Sequence, residues 1–423
     1  MSLNRKAMAL AVGAALAAPC AYSQQASDKW EIYGKFYPEL THQSGDGATA
    51  AGTTVSTLSI PAAAGNATTS RWEMQISNTY IGFRGSRNLG SGMKAIGQLE
   101  QTVNIDQGNP STGSAPSFAN RDSFAGLESN WGTVRLGNMD TPFKKYGDTL
   151  AFLGVSSGNF VTANNVSRKI GFGVASASSF NLRRANAIDF ASPTLPGGVQ
   201  VGVQYSIGNP TESGAGVAGI NPGANRFPRV ASMGVKWEQG PLYLAAAGEM
   251  HYDLFGGSSA VAGSGAASNI PTLAANSKDR AVQLTAVYKI GVHSIEGDVN
   301  TKQYKETGGA AANSFAEYKN NAFAVIWEAR WTNQWRTALS YVKATAGSCS
   351  LVTNPCSASG LDGNLIAAGV TYSFDPSTYL FVLAARLTNG ESARFSNNGS
   401  TTAQDPNPGE DIKQIAVGIA YSF

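Results

Sequence analysis

Along short stretches of this chain, greasy side chains alternate one by one with small or polar ones. No other feature of the sequence restricts the fold so tightly. Over 411–423, Lys413, Ile415, Val417, Ile419, Tyr421 and Phe423 share one face, while Ile412, Gln414, Ala416, Gly418, Ala420 and Ser422 share the other. Successive strand side chains point to opposite faces, so the pattern describes a strand with one apolar and one wettable surface. It recurs at Val199, Val201, Val203 and Tyr205, at Phe323, Val325, Trp327 and Ala329, and at Trp335, Thr337, Leu339 and Tyr341. Tyr379, Phe381, Leu383 and Ala385 read as a further outer face.

The links between these stretches come in two lengths. Tight turns rich in Gly, Asn, Pro and Ser fall at 88–92, 129–132, 193–198, 239–241, 290–291, 332–334 and 375–377. Long polar loops fall at 42–70, 107–117, 141–170, 209–228, 254–277, 305–319, 346–361 and 391–410. Seven turns alternating with eight loops predict sixteen strands. The expected fold is therefore an all-β, antiparallel transmembrane barrel with short turns at one rim and long loops at the other. An even strand number lets the first and last strands pair, which removes the sheet edges. Trp30, Trp131, Trp237, Tyr243, Trp331, Trp335, Tyr372, Phe374, Tyr421 and Phe423 are candidates for interfacial girdles.

Residues 1–23 read as a cleaved signal peptide: Arg5 and Lys6, an apolar run from Ala7 to Ala18, then Ala21-Tyr22-Ser23. Cleavage is expected after Ser23, leaving 24–423 as the barrel domain, whereas a lipoprotein reading at Cys20 is disfavoured by Pro19. The apolar run is shorter than the ~20 residues a spanning helix needs, and no later window qualifies. Charged residues make up 14% of the chain, against about 25% in soluble domains; a lipid-facing wall accounts for the deficit. Without Arg5 and Lys6 the net charge of +3 falls to +1, and no basic run suggests nucleic acid.

Cys349 and Cys356 flank the loop segment Ser-Leu-Val-Thr-Asn-Pro and are expected to form a disulfide in an oxidising compartment. The only histidines, His42, His251 and His293, are scattered, with no HExxH, hydrolase triad or phosphate-cradling motif in view. No enzyme activity, cofactor or metal is expected.

Several segments resemble the Gram-negative trimeric porin family, of the β-proteobacterial, neisserial type. NTYIGFRGSRNLGSGMKAIGQLE from Asn78 is similar to its second and third strands, and FAGL with WGTVRLG, from Asn120 on, to the next hairpin. RANAIDFASPTLPGGVQVGVQY from Arg184 resembles the segment after the pore-lining loop, and VGIAYSF resembles the closing strand. Two departures stand out. Tyr80 occupies a position where many members carry a pore-facing Arg, and the third loop lacks the Pro-Glu-Phe-Gly-Gly run of enterobacterial members.

The resemblance implies a homotrimer in the bacterial outer membrane, in contact with its lipid and lipopolysaccharide. It implies passive diffusion of ions and small hydrophilic solutes, and Phe423 presented to the barrel-assembly machinery. It also implies that the third long loop, 141–169, folds inward to narrow the pore, bringing Lys144, Lys145, Asp148, Arg168 and Lys169.

Strand phasing adds to this set. Ile81 and Phe83 outward turn Arg84 inward; Ile32 and Phe36 outward turn Tyr33, Lys35 and Glu39 inward; Leu99 outward turns Gln98 and Glu100 inward. Arg121 and Arg184 match basic family positions flanking the loop. The set leans basic, so weak anion preference is expected. With Arg121 inward, Asp122 lands outward, where a subunit interface suits it better than lipid. Trp72, Met74 and Ile76 fall in phase with inward Tyr80 unless a bulge intervenes. A substrate-specific channel of the same fold, using Tyr33, Tyr37 and Tyr80, is the alternative reading.

Overall fold

In a computed structural model, the structure describes residues 28–76, 79–105, 118–147, 149–154, 159–172, 179–208, 228–254, 277–307, 315–397 and 406–423. Among these, the strands are β1 (Lys29–Phe36), β2 (Glu39–Asp46), β3 (Arg71–Gln75), β4 (Tyr80–Gly90), β5 (Met93–Thr102), β6 (Ser123–Ser129), β7 (Gly132–Asp140), β8 (Arg183–Ala191) and β9 (Val199–Ser206). The wall continues through β10 (Arg229–Gln239), β11 (Leu242–Tyr252), β12 (Lys278–Ile290), β13 (His293–Lys305), β14 (Phe315–Arg330) and β15 (Trp335–Ala344). It ends with β16 (Ser348–Leu351), β17 (Gly363–Ser373), β18 (Thr378–Asn389) and β19 (Asp411–Ser422).

These segments make sixteen wall strands, because β1 with β2 and β3 with β4 are single crossings and β16 is a short piece in a loop. Every pairing is antiparallel, and β1 meets β19 through Lys35↔Ser422 and Phe36↔Tyr421, closing the barrel. All seven expected turns lie at one rim. Closure matters because lipid offers no partner for a bare backbone N–H or C=O.

Pro38 interrupts the first crossing, since it has no N–H to give the ladder. In the second crossing, Lys35 faces Tyr80 but Glu39 faces Gln75, so four steps on one strand oppose five on the other. The extra residue is the expected bulge. It turns Trp72 and Met74 outward alongside Phe83, on the lipid face.

Two facing expectations are corrected. Phe381, Leu383 and Ala385 point into the barrel, and Leu380 and Val382 face out. Tyr243 also points in, its hydroxyl donating to the Tyr146 carbonyl at 2.9 Å. Tyr243 borders a polar recess with Lys145, Lys236 and Glu238, whereas the facing of Phe381, Leu383 and Ala385 follows from a dry core along one side of the interior. Ala322, Ile326, Val342, Leu365, Phe381 and Leu383 pack there against Phe152, Leu153, Phe160, Val161 and Val166 of the third loop. When both faces are apolar, alternation no longer tells inside from outside. The remaining girdle candidates gather at the short-turn rim, with Trp131, Trp331, Trp335 and Phe374 all exposed.

Candidate functional site: the third loop and the charged lumen

The third loop leaves β7 at Thr141 and rejoins the wall only at Arg183, longer than expected. It contains α1 (Pro142–Lys145), an irregular turn at Ala151–Gly154 in which Phe152 and Leu153 have non-helical backbone angles, and α2 (Asn164–Ser167). Thr141 caps α1 by accepting from the Lys144 amide at 3.3 Å, and Pro142 sits at the first helical position, where no N–H is needed.

Inward carboxylates hold the loop across the lumen. Glu296 accepts from the Thr149 amide at 2.8 Å, the Thr149 hydroxyl at 2.9 Å and the Leu150 amide at 2.7 Å. Glu328 accepts from the Leu153 amide and from Arg336. Glu39 accepts both bonds from the Asn159 side chain, at 2.9 and 3.1 Å. On the returning limb, Arg168 donates to Gln283 at 3.1 Å, and Lys302 donates to the Ser167 carbonyl. Leaving such donors unmet in the interior costs about 1–3 kcal/mol each, so these contacts fix one loop position.

Facing the loop's other side are two charge clusters on the wall opposite the dry core. In the first, Glu100 bonds Arg121 and accepts from the Tyr33 hydroxyl at 3.1 Å. Arg84 bonds Glu31 at 2.8 and 3.0 Å. Its guanidinium lies 4.6 Å from the Tyr33 ring centre, as Arg121 does from Tyr80. In the second, Asp189 meets Arg135 at 2.8 Å and Lys145 at 3.5 Å. Asp140 meets Lys144 at 2.9 Å and Arg183 at 3.1 Å, and Asp122 meets Arg183 at 2.6 Å. Lys35 donates to the Gly154 carbonyl at 3.1 Å and lies over the Tyr37 ring. Burial lowers the pKa of Lys144 and Lys145, with Asp140 and Asp189 respectively pulling back up. Lys169, donating to the Ser396 carbonyl at 3.0 Å, is brought down by burial to about 8.

Of the expected lumen residues, Lys35, Arg84, Glu100, Arg121, Lys144 and Lys145 take part in these contacts. Others do not. Arg168 is 2% exposed, wedged between loop and wall beside Phe143, so it borders no open space. Arg184 is buried opposite Met139, and its neighbour Arg183 enters the cluster instead. The register slips between Gly137 and Met139, and Asn186 has a positive φ of 51°. Together these swap the phase of the strand start. Asp122 faces inward as Arg121 does, because both precede the regular strand and follow Ala119, at φ 62°. Tyr37 is stacked on Phe381 with ring centres 4.4 Å apart and is fully buried, away from any solute path. Asp148 lies outside the described residues.

Sequence reasoning passed over Arg135 and Asp189, although outward Leu136 and Ile188 would have turned both inward. Cys349 and Cys356 form the expected disulfide. Phe423 and Gly34 exchange backbone hydrogen bonds at 3.0 and 3.1 Å where the barrel closes.

A closed barrel of this size with an inward loop and a charged eyelet defines a class, the membrane β-barrels with an open lumen. The model of the Gram-negative porin family matches residues 7–392, and the chain belongs to that family. Family and barrel together place it in the bacterial outer membrane. It is 41% identical over 70 residues to the major outer membrane protein P.IB of Neisseria lactamica, and 43% identical over 65 residues to P.IA of Neisseria meningitidis serogroup C. Those alignments cover 16% and 15% of this chain and only 19% and 16% of the relatives' lengths. An anion-selective porin from Comamonas acidovorans shares the fold, with a TM-score of 0.68 at 19% identity over 94% of this chain and all of that one. OmpF of Salmonella typhi, solved in complex with daunomycin, gives 0.57 at 16% identity, over 95% of this chain and all of that one.

Proposed function

We propose that this chain forms a water-filled outer-membrane channel for passive diffusion of ions and small hydrophilic solutes, with weak preference for anions. One observation carries the preference. Among the described residues, the two charge clusters together with Lys35 contribute seven cations (Lys35, Arg84, Arg121, Arg135, Lys144, Lys145, Arg183) and five carboxylates (Glu31, Glu100, Asp122, Asp140, Asp189). Charges of both signs across a narrow opening also set up a transverse field that orients dipolar solutes. The anion selectivity of the Comamonas relative supports the same sign.

The working unit is a homotrimer, in keeping with the trimer form solved for OmpT of Vibrio cholerae, and the mature chain starts at Gln24. Reversal potentials in a planar bilayer under a potassium chloride gradient test the reading. A modest chloride preference is the expected result, and strong potassium preference overturns it.

A second reading has its own observation. Tyr33 and Tyr80 sit side by side, ring centres 6.2 Å apart, each with a guanidinium over its ring. That surface suits planar anionic solutes, and conductance block that saturates with solute concentration would favour a substrate-specific channel.

A further inference from the structure

The recess that Tyr243 borders is charged on one side and apolar on the other. It lies between the third loop and the inner wall of β10–β12, just before the turns that end β10 and β12. Its volume is about 530 Å³, within the roughly 300–1,000 Å³ of small-molecule sites. Lys236 points in with Ser232 and Gly234, and Lys289 is in phase with inward Thr285 and Val287. Lys145 reaches the same space from the loop. Leu150, Val287 and the Tyr243 ring supply the apolar side.

The recess also has a fixed shape. Tyr146 forms one end, and its ring fits only because two wall residues lack a side chain. A Cβ at Gly202 would come within 2.6 Å of its hydroxyl, and one at Gly234 within 2.5 Å of its ring. Tyr243 holds the Tyr146 carbonyl and Glu296 holds Thr149 and Leu150, so the roof is tied to the wall. The charges inside are unequal. Three ammoniums face one lining carboxylate, Glu238. Lys145 meets Asp189, which Arg135 also holds. Among the described residues, no hydrogen bond or ion pair engages the side chains of Lys236, Lys289 or Glu238. Two unengaged ammoniums beside an apolar surface match a solute that is anionic at one end and apolar at the other.

We infer that the recess binds small organic monocarboxylates, with the carboxylate between Lys236 and Lys289 and an aliphatic or aromatic body against Leu150, Val287 and Tyr243. This names a solute class for the channel proposed above and rests on its lumen being open to water. The surface is distinct from the Tyr33–Tyr80 pair, which lies on β1 and β4. Glu238 offsets one ammonium and repels a second negative charge, so a monoanion fits better than a multiply charged phosphate. Lysine meets an anion as a hydrated point charge rather than a bidentate fork. Capture is therefore weak and release fast, as a passing solute requires.

The test reads fluorine NMR line broadening of para-fluorobenzoate by the folded barrel in neutral detergent, with the effect of detergent alone subtracted. Two further probes divide the ligand: para-fluorobenzamide keeps the body without the charge, and fluoroacetate keeps the charge without the ring. Fluorobenzoate should bind about tenfold more tightly than either. Lys236→Gln/Lys289→Gln should weaken it about tenfold. Glu238→Gln should tighten it about threefold, an outcome that misfolding would not produce. Arg84→Gln, at the Tyr33–Tyr80 surface, should leave this affinity in place. Equal binding of fluorobenzoate and either partial probe, undiminished binding by the double variant, no tightening by Glu238→Gln, or loss of binding in Arg84→Gln each overturns the assignment. If the wild type carries no current in a bilayer, the channel reading fails, while these affinities still decide the recess.

Discussion

Glu100 shows how much a single side chain decides in this lumen. It holds Arg121 with one oxygen and the Tyr33 hydroxyl with the other, and Arg121 in turn covers Tyr80. Glu100→Gln removes a negative charge while keeping the shape, so the reversal potential should move further toward chloride. Arg121→Gln should move it toward potassium. Matching shifts of the same sign in the two variants would contradict a selectivity set by local charge. Residue-scale legibility followed the phase of the strands. Where outward neighbours were unambiguous, as around Arg84 and Glu100, the inward residue was readable. Where a positive-φ residue intervened, as before Asp122, counting by twos gave the wrong face, and at Arg184 a register slip moved the position implied by the resemblance out of the cluster.

Elements were the most legible scale, and the third loop the least. Alternation with turn spacing located the wall strands because the lipid face obeys one rule everywhere. The loop has no such rule. Its position depends on Glu39, Glu296 and Glu328, three carboxylates far from it in sequence. Glu296→Ala should orphan the donors at Thr149 and Leu150, cost about 2–5 kcal/mol of loop anchoring, and appear as faster proteolysis of the loop and noisier single-channel current. Unchanged noise and unchanged cleavage would contradict the anchoring role.

The loop should also respond to pH through Lys169. Its folded value, about 8, lies below the ordinary lysine value of about 10.4. Between those values the unfolded loop binds the extra proton and the folded one does not, so anchoring strengthens as pH rises from 8 toward 10. Below pH 8 the charge is present in both states and the full penalty remains. Lys169→Met should abolish the rise in protease resistance over that window; a rise that persists would assign it to another group.

The molecule as a whole divides its interior unequally. Inward faces of β14, β15, β17 and β18 pack with the third loop as an ordinary core, while β1, β4, β7 and β8 carry the charges. The dry half was not legible, since alternation assumes that one face is wet. Phe381→Ala, which deletes a fully buried ring stacked on Tyr37, should destabilise by about 3–5 kcal/mol. It should lower the temperature at which the barrel unfolds, with selectivity unchanged. A large selectivity change would mean that this half also borders the solute path.

That unequal division has a consequence for anyone who would alter the size of the opening. Strand number fixes the girth of the cylinder, yet the bore is what the packed half leaves over. Trimming side chains at the eyelet can widen the passage only locally. A wider bore requires breaking apart hydrophobic packing that also holds the loop in place, so permeability and durability cannot be tuned separately there.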